Sequence, residues 1–394
     1  MTADIVIYVQ NLLGVGHLAR VASIAETVAD LGGSVAILCG GVRPAGYAPR
    51  GVQYIQLEPC QADDASCKSI RDTRGNLIDD AFLERRSAQL KDILLRLQPK
   101  VFVTEMFPFG RWRFRRELLP VLDWLRGWEA PPRLAISVRD VINQGSVTGE
   151  RSQQVAALIR AQYDHVLVHG DPFFLPLEAT WPPATTLADK LIYTGYVMPP
   201  GQFSQEQAPI LPVDRDFVLV SAGGGLYGAS LYRAALAARP LSQRFSQHHW
   251  IIVAGPYCPA HVLAELHTAA PAGVTVLAQH PHLGALFPLA AASISQAGCN
   301  TVLELLNTRT PAVVVPFDEG KESEQTDRAR LLAAKGVFTL LPAATLTPAT
   351  LADALDNTRP PTDLPDEIHT HGAEVSAMHL LSWVKAVYNA LHKP

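Results

Sequence analysis

The sequence predicts an α/β protein built from two doubly wound, mostly parallel sheets, and three observations carry that expectation. Short apolar runs of strand length alternate with longer helical stretches, the alternation lapses between residues 198 and 216, and it then restarts in the same order. Parallel strands need a crossover to reach their neighbours, so strand and helix in turn describe a sheet with helices on both faces. The length of 394 residues, with 48% apolar and 18% charged residues, suits two packed cores of ~100–200 residues each.

In the first half, Ile5-Val6-Ile7-Tyr8-Val9 leads through a glycine-containing loop into a helical stretch over 19–31. Strand-like runs follow at 35–38, 52–57, 101–104, 134–138 and 166–169, with helical stretches at 77–97 and 151–163 between them. Prolines between 198 and 216 stop both helix and central strand, which reads as a linker. Phe217-Val218-Leu219-Val220-Ser221 restarts the scheme and runs into Ala222-Gly223-Gly224-Gly225, a helix over 229–239, and strands at 250–254, 274–277, 292–295 and 312–315. The last stretch, 373–391, reads as a helix with Met378, Leu381, Val384, Val387 and Leu391 on one side. The expected division is a first domain over 1–200, a second over 201–368, and a helix over 369–394 that returns to brace the first.

Composition narrows the function. A formal net charge of −4 gives no global attraction to nucleic acid. No apolar run reaches the ~18 residues of a membrane span, and the first residues lack a basic leader, so a cytoplasmic protein is expected. The five cysteines Cys39, Cys60, Cys67, Cys258 and Cys299 lack metal-type pairing and read as reduced thiols.

The densest chemical signal is Ser295-Gln296-Ala297-Gly298-Cys299-Asn300-Thr301-Val302-Leu303-Glu304, followed by Pro311-Ala312-Val313-Val314-Val315-Pro316-Phe317 and then Glu324-Gln325. Gly298 permits close backbone approach, and free N–H groups of the helix starting near Cys299, Asn300 and Thr301 can hold phosphate. Glu304 can accept hydrogen bonds from ribose hydroxyls; the bland alternative is a helix acid favoured by the dipole. Gly223, Gly224 and Gly225, after Ser221, form a second loop whose N–H groups could approach a diphosphate, or a plain tight turn between strand and helix.

These residues carry a resemblance. Ser-Gln-Ala-Gly, Thr-Val-x-Glu, Pro-Ala-Val-x-Val-Pro-Phe, a Gln-bearing acidic segment and Arg-Ala fall in the order of the glycosyltransferase family 28 donor domain over residues 293–330. The whole chain also resembles a bacterial group of predicted glycosyltransferases carrying Phe-Pro-Phe-Gly-Arg, Ser-Val-Arg-Asp and Tyr-Thr-Gly-Tyr-Val, here at 107–111, 137–140 and 193–197. The resemblance implies the GT-B fold, two Rossmann-like domains with a nucleotide sugar in the interdomain cleft. It implies further that Glu304 holds the ribose, that Glu324 and Gln325 read the sugar, and that the loop at His280 and Leu283 reads a uracil edge.

Transfer to a hydroxyl needs a base and something positive at the leaving diphosphate. His17, after Gly16 in Gly14-Val15-Gly16-His17, is the first candidate base, against a role in capping or phosphate contact. Glu105 and Asp140 follow predicted strands and could each orient His17 or act as base; Arg139 beside Asp140 could instead make a structural ion pair. The stretch 107–116 mixes four arginines with four aromatics and reads as an acceptor lip, a contact with an anionic membrane or lipid-linked acceptor, or a solvated helix start. His280 and His282 lack a third ligand at metal spacing, and no Asp-x-Asp metal motif stands in a suitable context. The expectation is an inverting glycosyltransferase that needs no metal or other cofactor and moves a hexosyl group, an N-acetylhexosamine in the leading version, from a UDP-sugar to a hydroxyl acceptor. A UDP-sugar hydrolase, through the similar segment Gly-x-Gly-His-x-x-Arg ending at Arg20, and a non-catalytic nucleotide-sugar binder are the alternatives.

Overall fold

A computed structural model describes residues 2–12, 16–44, 47–63, 69–142, 147–198, 213, 215–280, 282–318, 324–362, 364 and 368–391. Gly14 and Val15, most of the expected linker, Pro281, Cys67 and residues 319–323 lie outside the described residues. The chain divides into two compact units, Met1–Pro199 with His369–Pro394, and Pro200–Ile368.

The first unit contains β1 (Ile5–Val9), α1 (Gly16–Asp30), β2 (Val35–Cys39), β3 (Gln53–Gln56), a hairpin of β4 (Cys60–Ala62) and β5 (Ile70–Asp72), α2 (Asp80–Leu97), β6 (Val101–Glu105), α3 (Arg115–Arg126), β7 (Arg133–Arg139), α4 (Gly149–Gln162), β8 (His165–His169) and β9 (Leu191–Tyr193). Seven of these strands form one parallel sheet in the order β3-β2-β1-β6-β7-β8-β9. Successive side chains leave a strand on opposite faces, and both faces here meet helices. Val6, Tyr8, Phe102 and Ile136 pack with α2, α3 and α4, whereas Ile5, Ile7, Val9, Val101 and Val103 pack with α1. That is why each strand reads as an unbroken apolar run.

The second unit repeats the scheme with β10 (Phe217–Ser221), α5 (Ala229–Ala238), β11 (Trp250–Val253), α6 (Ala260–Ala269), β12 (Val274–Leu277), β13 (Ala290–Ser295), α7 (Cys299–Thr308), β14 (Ala312–Val314), α8 (Glu324–Ala333), β15 (Thr339–Leu340) and α9 (Pro348–Asn357). Its six strands are parallel in the order β12-β11-β10-β13-β14-β15. Thr347 caps α9 through a reciprocal pair of hydrogen bonds with Thr350.

The chain rejoins the first unit at His369, where Tyr196 N–H bonds to the His369 carbonyl, and ends in α10 (Gly372–Leu391). Its docking face takes in much of the expected stripe and widens it: Val387 is buried and Leu381 and Val384 pack partly buried against the core, which Ala373, Ala377, Leu380 and Trp383 enter beside α1, while Met378 is exposed. α10 carries apolar residues on most of its circumference, and the stripe containing two alanines allows the closer approach to α1.

Of the three readings open for the stretch 107–116, a helix start is the one that its geometry fits. Phe107, Phe109 and Phe114 are buried in the core beneath the start of α3, so they cannot form an exposed lip. Arg111 Nε donates to the Gln10 carbonyl at 2.7 Å, Arg113 donates to the Ile78 carbonyl at 2.9 Å, and Arg116 pairs with Asp80 at the surface. Most of the aromatic pattern is therefore explained by packing. Among the described residues, no helix is long and apolar enough to cross a membrane.

Candidate active site

In a doubly wound sheet, neighbouring crossovers diverge where the strand order reverses, and ligands bind beyond the carboxyl ends of the strands at that point. In the first unit the reversal lies between β1 and β6. α1, the crossover after β1, brings His17 there on its first turn, and β6 ends in Glu105. The two meet, with His17 Nδ1 2.9 Å from Glu105 Oε1.

This pair sits in a polar cluster within an otherwise apolar sheet. Arg20, three residues on from His17, donates to the same Glu105 oxygen, and Ser137 Oγ on β7 donates to the other. Burial favours a neutral Glu105, but the charge of Arg20 and the donors from His17 and Ser137 outweigh it and hold the carboxyl well below its ordinary range. Burial and the Arg139 guanidinium hold His17 down to about 3, against the opposing pull of Glu105. His17 is therefore a neutral imidazole near neutral pH. An ionised carboxylate only accepts, so His17 carries its proton on Nδ1 and keeps a lone pair on Nε2. Arg139 Nη2 lies 3.1 Å from that Nε2. Glu105 thus orients the histidine, one of the two roles the sequence left open. Asp140 is buried just beyond β7, and none of the hydrogen bonds of His17 goes to it.

In the second unit the reversal lies between β10 and β13, and both predicted glycine turns stand there. The glycines divide their work. A Cβ on Gly225, whose φ is +84°, would sit 1.8 Å from the Ala254 carbonyl oxygen, so this glycine lets the loop lock against the end of β11. Gly223, with φ +60°, has open space beside it and can present backbone to a ligand. Gly224 has only the Tyr257 ring nearby. Ser221 is fully buried, and its Oγ accepts the Gly223 N–H at 3.2 Å, so its side chain shapes the loop.

After β13, Gly298 precedes α7, which begins Cys299-Asn300-Thr301 without a side-chain cap. Its first N–H groups point past the strand end as a ready anion site. Glu304 lies on the same helix, 2% exposed, and burial raises its carboxyl to about 8. It has no side-chain hydrogen bond among the described residues. A buried carboxyl without a partner is costly, and hydroxyl donors from a ligand would supply what the fold does not.

The remaining predicted donor residues are partly engaged. Glu324 pairs with the buried Arg328 at 2.8 Å, and Arg328 also reaches the Ala297 carbonyl, which ties α8 to the turn before Gly298. Gln325 Oε1 accepts the Phe317 N–H at 3.2 Å. His280 Nδ1 accepts the His282 N–H at 3.2 Å, and Leu283 follows at the start of a short 3-10 turn. Among the described residues, no group of three or more His, Cys, Asp or Glu side chains is placed to hold a metal.

Three polar residues behind Glu105 escaped the sequence reading. Ser137 Oγ lies 2.8 Å from His169 Nε2, and His169 Nδ1 lies 2.9 Å from Thr194 Oγ1. His169 ends β8, and Thr194 directly follows β9. His169 and Thr194 are polar residues at the ends of apolar strands, whereas Ser137 lies within β7, and the two strand-end positions were the available signal.

Residues 221–375 match the family model of the glycosyltransferase family 28 C-terminal domain. A curated relative from Agrobacterium fabrum, UDP-N-acetylglucosamine--N-acetylmuramyl-(pentapeptide) pyrophosphoryl-undecaprenol N-acetylglucosamine transferase, is 25% identical over 236 residues; the match spans 58% of this chain and 58% of that protein. Among solved structures, the calicheamicin glycosyltransferase CalG4 superposes over 100% of both chains with a TM-score of 0.61 at 14% identity. MurG of Acinetobacter baumannii covers 98% of both chains with a TM-score of 0.56 at 16% identity. The fold is GT-B.

Proposed function

We propose that this GT-B protein, whose residues 221–375 match the family 28 C-terminal domain, transfers a hexosyl group from a UDP-sugar to a hydroxyl acceptor. The observation that carries the reading is Glu304, a buried carboxyl with no side-chain hydrogen bond among the described residues, on the helix that follows Gly298. A nucleoside diphosphate answers both features at once: its ribose hydroxyls would donate to Glu304, and its phosphates would take the N–H groups of α7 and of the Gly223 loop. The naming of the Agrobacterium relative supports N-acetylglucosamine as the sugar.

The chemistry assigned to the first unit is proton removal. As the acceptor oxygen attacks the anomeric carbon from the face opposite the diphosphate, its proton passes to His17 Nε2, and the bond to the diphosphate oxygen breaks with inversion. The imidazolium that forms is held by Glu105 through Nδ1–H. Arg139 must release Nε2 for this to happen. Backbone N–H groups and helix dipoles carry the charge of the departing UDP, so no metal is required.

The test is UDP release from UDP-N-acetylglucosamine with and without candidate hydroxyl acceptors. Slow release that accelerates when an acceptor is added supports the transferase. Rapid release with water alone supports the hydrolase, and binding without any turnover supports a nucleotide-sugar sensor.

A further inference from the structure

The hydrogen bonds behind Glu105 can be directed one by one from a single premise. Glu105 is ionised, so it accepts only. Ser137 has one hydroxyl proton, and the bond to Glu105 Oε2 consumes it. The contact between Ser137 Oγ and His169 Nε2, at 2.8 Å, must then be donated by the ring. His169 is 3% exposed, and burial with the nearby Arg20 charge, against the pull of Glu105, holds it neutral with its ring down to about 3. A neutral ring protonated on Nε2 has a bare Nδ1, so Thr194 must donate to it at 2.9 Å. The Thr194 hydroxyl has other acceptors within reach, the Val168 and Gly195 carbonyls at 3.3 and 3.0 Å, which compete for the same proton.

We propose that Thr194, His169 and Ser137 form a buried relay of positioning residues whose protons all point toward Glu105, fixing the orientation of the carboxylate and, through it, the ring of His17. The proposal rests on the reading of His17 as the base. Its consequence is long-range: a residue four hydrogen bonds from His17 helps hold the reacting ring in place. Without the Thr194 hydroxyl, His169 has no donor for Nδ1 and is free to carry its proton there. Its Nε2 then competes with Glu105 for the Ser137 proton, and Glu105 loses one of its donors. The charged groups around His17 are Glu105 on β6, Arg20 on α1, Arg139 on β7 and Arg111 beyond β6; those around His169 are Arg20 and Glu105. None of them can replace the lost proton on the Ser137 side without moving.

The experiment uses the full chain, with Thr194→Val as an isosteric probe and Ser137→Ala as a nearer one. Long-range ¹H–¹⁵N NMR of histidine-labelled protein, without substrate, reads the His169 tautomer directly. Wild type should show one Nε2–H tautomer of His169 near neutral pH, and both variants a mixture. In parallel, UDP release should fall by ~10-fold or more in either variant, with the KM for UDP-N-acetylglucosamine unchanged. His169→Gln, whose amide can still donate toward Ser137, should recover part of what His169→Leu loses. A single Nε2–H tautomer of His169 in folded Thr194→Val overturns the relay, and so does unchanged turnover in that variant when His17→Ala is inactive. If the wild-type chain turns over no nucleotide sugar, the transferase reading fails separately, and the tautomer measurement still decides the relay.

Discussion

Replacing Glu304 by Gln should make the free protein more stable and its donor binding weaker, both by calculable amounts. The carboxyl is raised from 4.5 to about 8 by burial alone. At pH 7 the folded protein therefore holds it protonated while the unfolded chain ionises it. Between those two values the native state binds more protons than the unfolded one, so stability falls as pH rises. From 4.5 to pH 7 the loss is about 3 kcal/mol at ~1.4 kcal/mol per unit. Gln does not titrate and occupies the same volume, so Glu304→Gln should recover about 3 kcal/mol at pH 7 and about 1 kcal/mol at pH 5.5. Urea unfolding of wild type and variant at the two pH values measures both. Donor binding should move the other way, because Gln replaces one of the two carboxyl oxygens that the ribose hydroxyls would use with an NH2 donor. A weakening of about 2 kcal/mol, or ~30-fold in the Kd of UDP, is expected by calorimetry. A variant that is less stable at both pH values, or whose stability difference does not change with pH, refutes the assignment of an unpartnered buried carboxyl. Unchanged UDP affinity refutes its role at the ribose.

Three further outcomes follow from the geometry. His17→Ala should abolish acceptor-dependent UDP release while leaving the Kd for UDP-N-acetylglucosamine within ~2-fold in calorimetry, since the donor contacts assigned above lie on the other unit. Gly225→Ala should destabilise the protein by about 3 kcal/mol, from positive φ and the clash with the Ala254 carbonyl, and should weaken donor binding with it; an unchanged thermal midpoint would contradict the interlocked loops. Acid should loosen the first unit: His17 and His169 are held near 3, below the ordinary 6.5, so the unfolded state takes up more protons from about pH 6.5 downward. The cost reaches about 2 kcal/mol per histidine at pH 5, and it should be smaller in His169→Gln, measured by hydrogen exchange of the β8 amides.

The architecture was legible because burial on both sheet faces turns every central strand into an apolar run with few rivals. Ile5–Val9, Phe217–Ser221 and Val274–Leu277 match their sequence readings to the residue. The placement of Glu304 on the helix after Gly298 was legible because it depends on a local spacing along one turn and helix. The relay was not, since its members lie 32 and 25 residues apart along the chain and meet only when β7, β8 and β9 align. The stretch 107–116 stayed open among three readings for a related reason: aromatic and arginine composition looks alike on a binding lip and on a helix start whose rings face inward. Composition carries no direction, and only the packing of Phe107, Phe109 and Phe114 supplies one. The docking side of α10 was legible in part: Leu381, Val384 and Val387 face the core as expected, and Met378 does not.

The central claim is that the second unit is a UDP-sugar site with Glu304 at the ribose. Calorimetric titration of UDP-N-acetylglucosamine into the full chain, with a metal chelator present, tests it most directly. The account predicts saturable one-to-one binding that free UDP competes away and that Glu304→Gln weakens. Absence of binding, or binding that appears only when a divalent metal is restored, would contradict it.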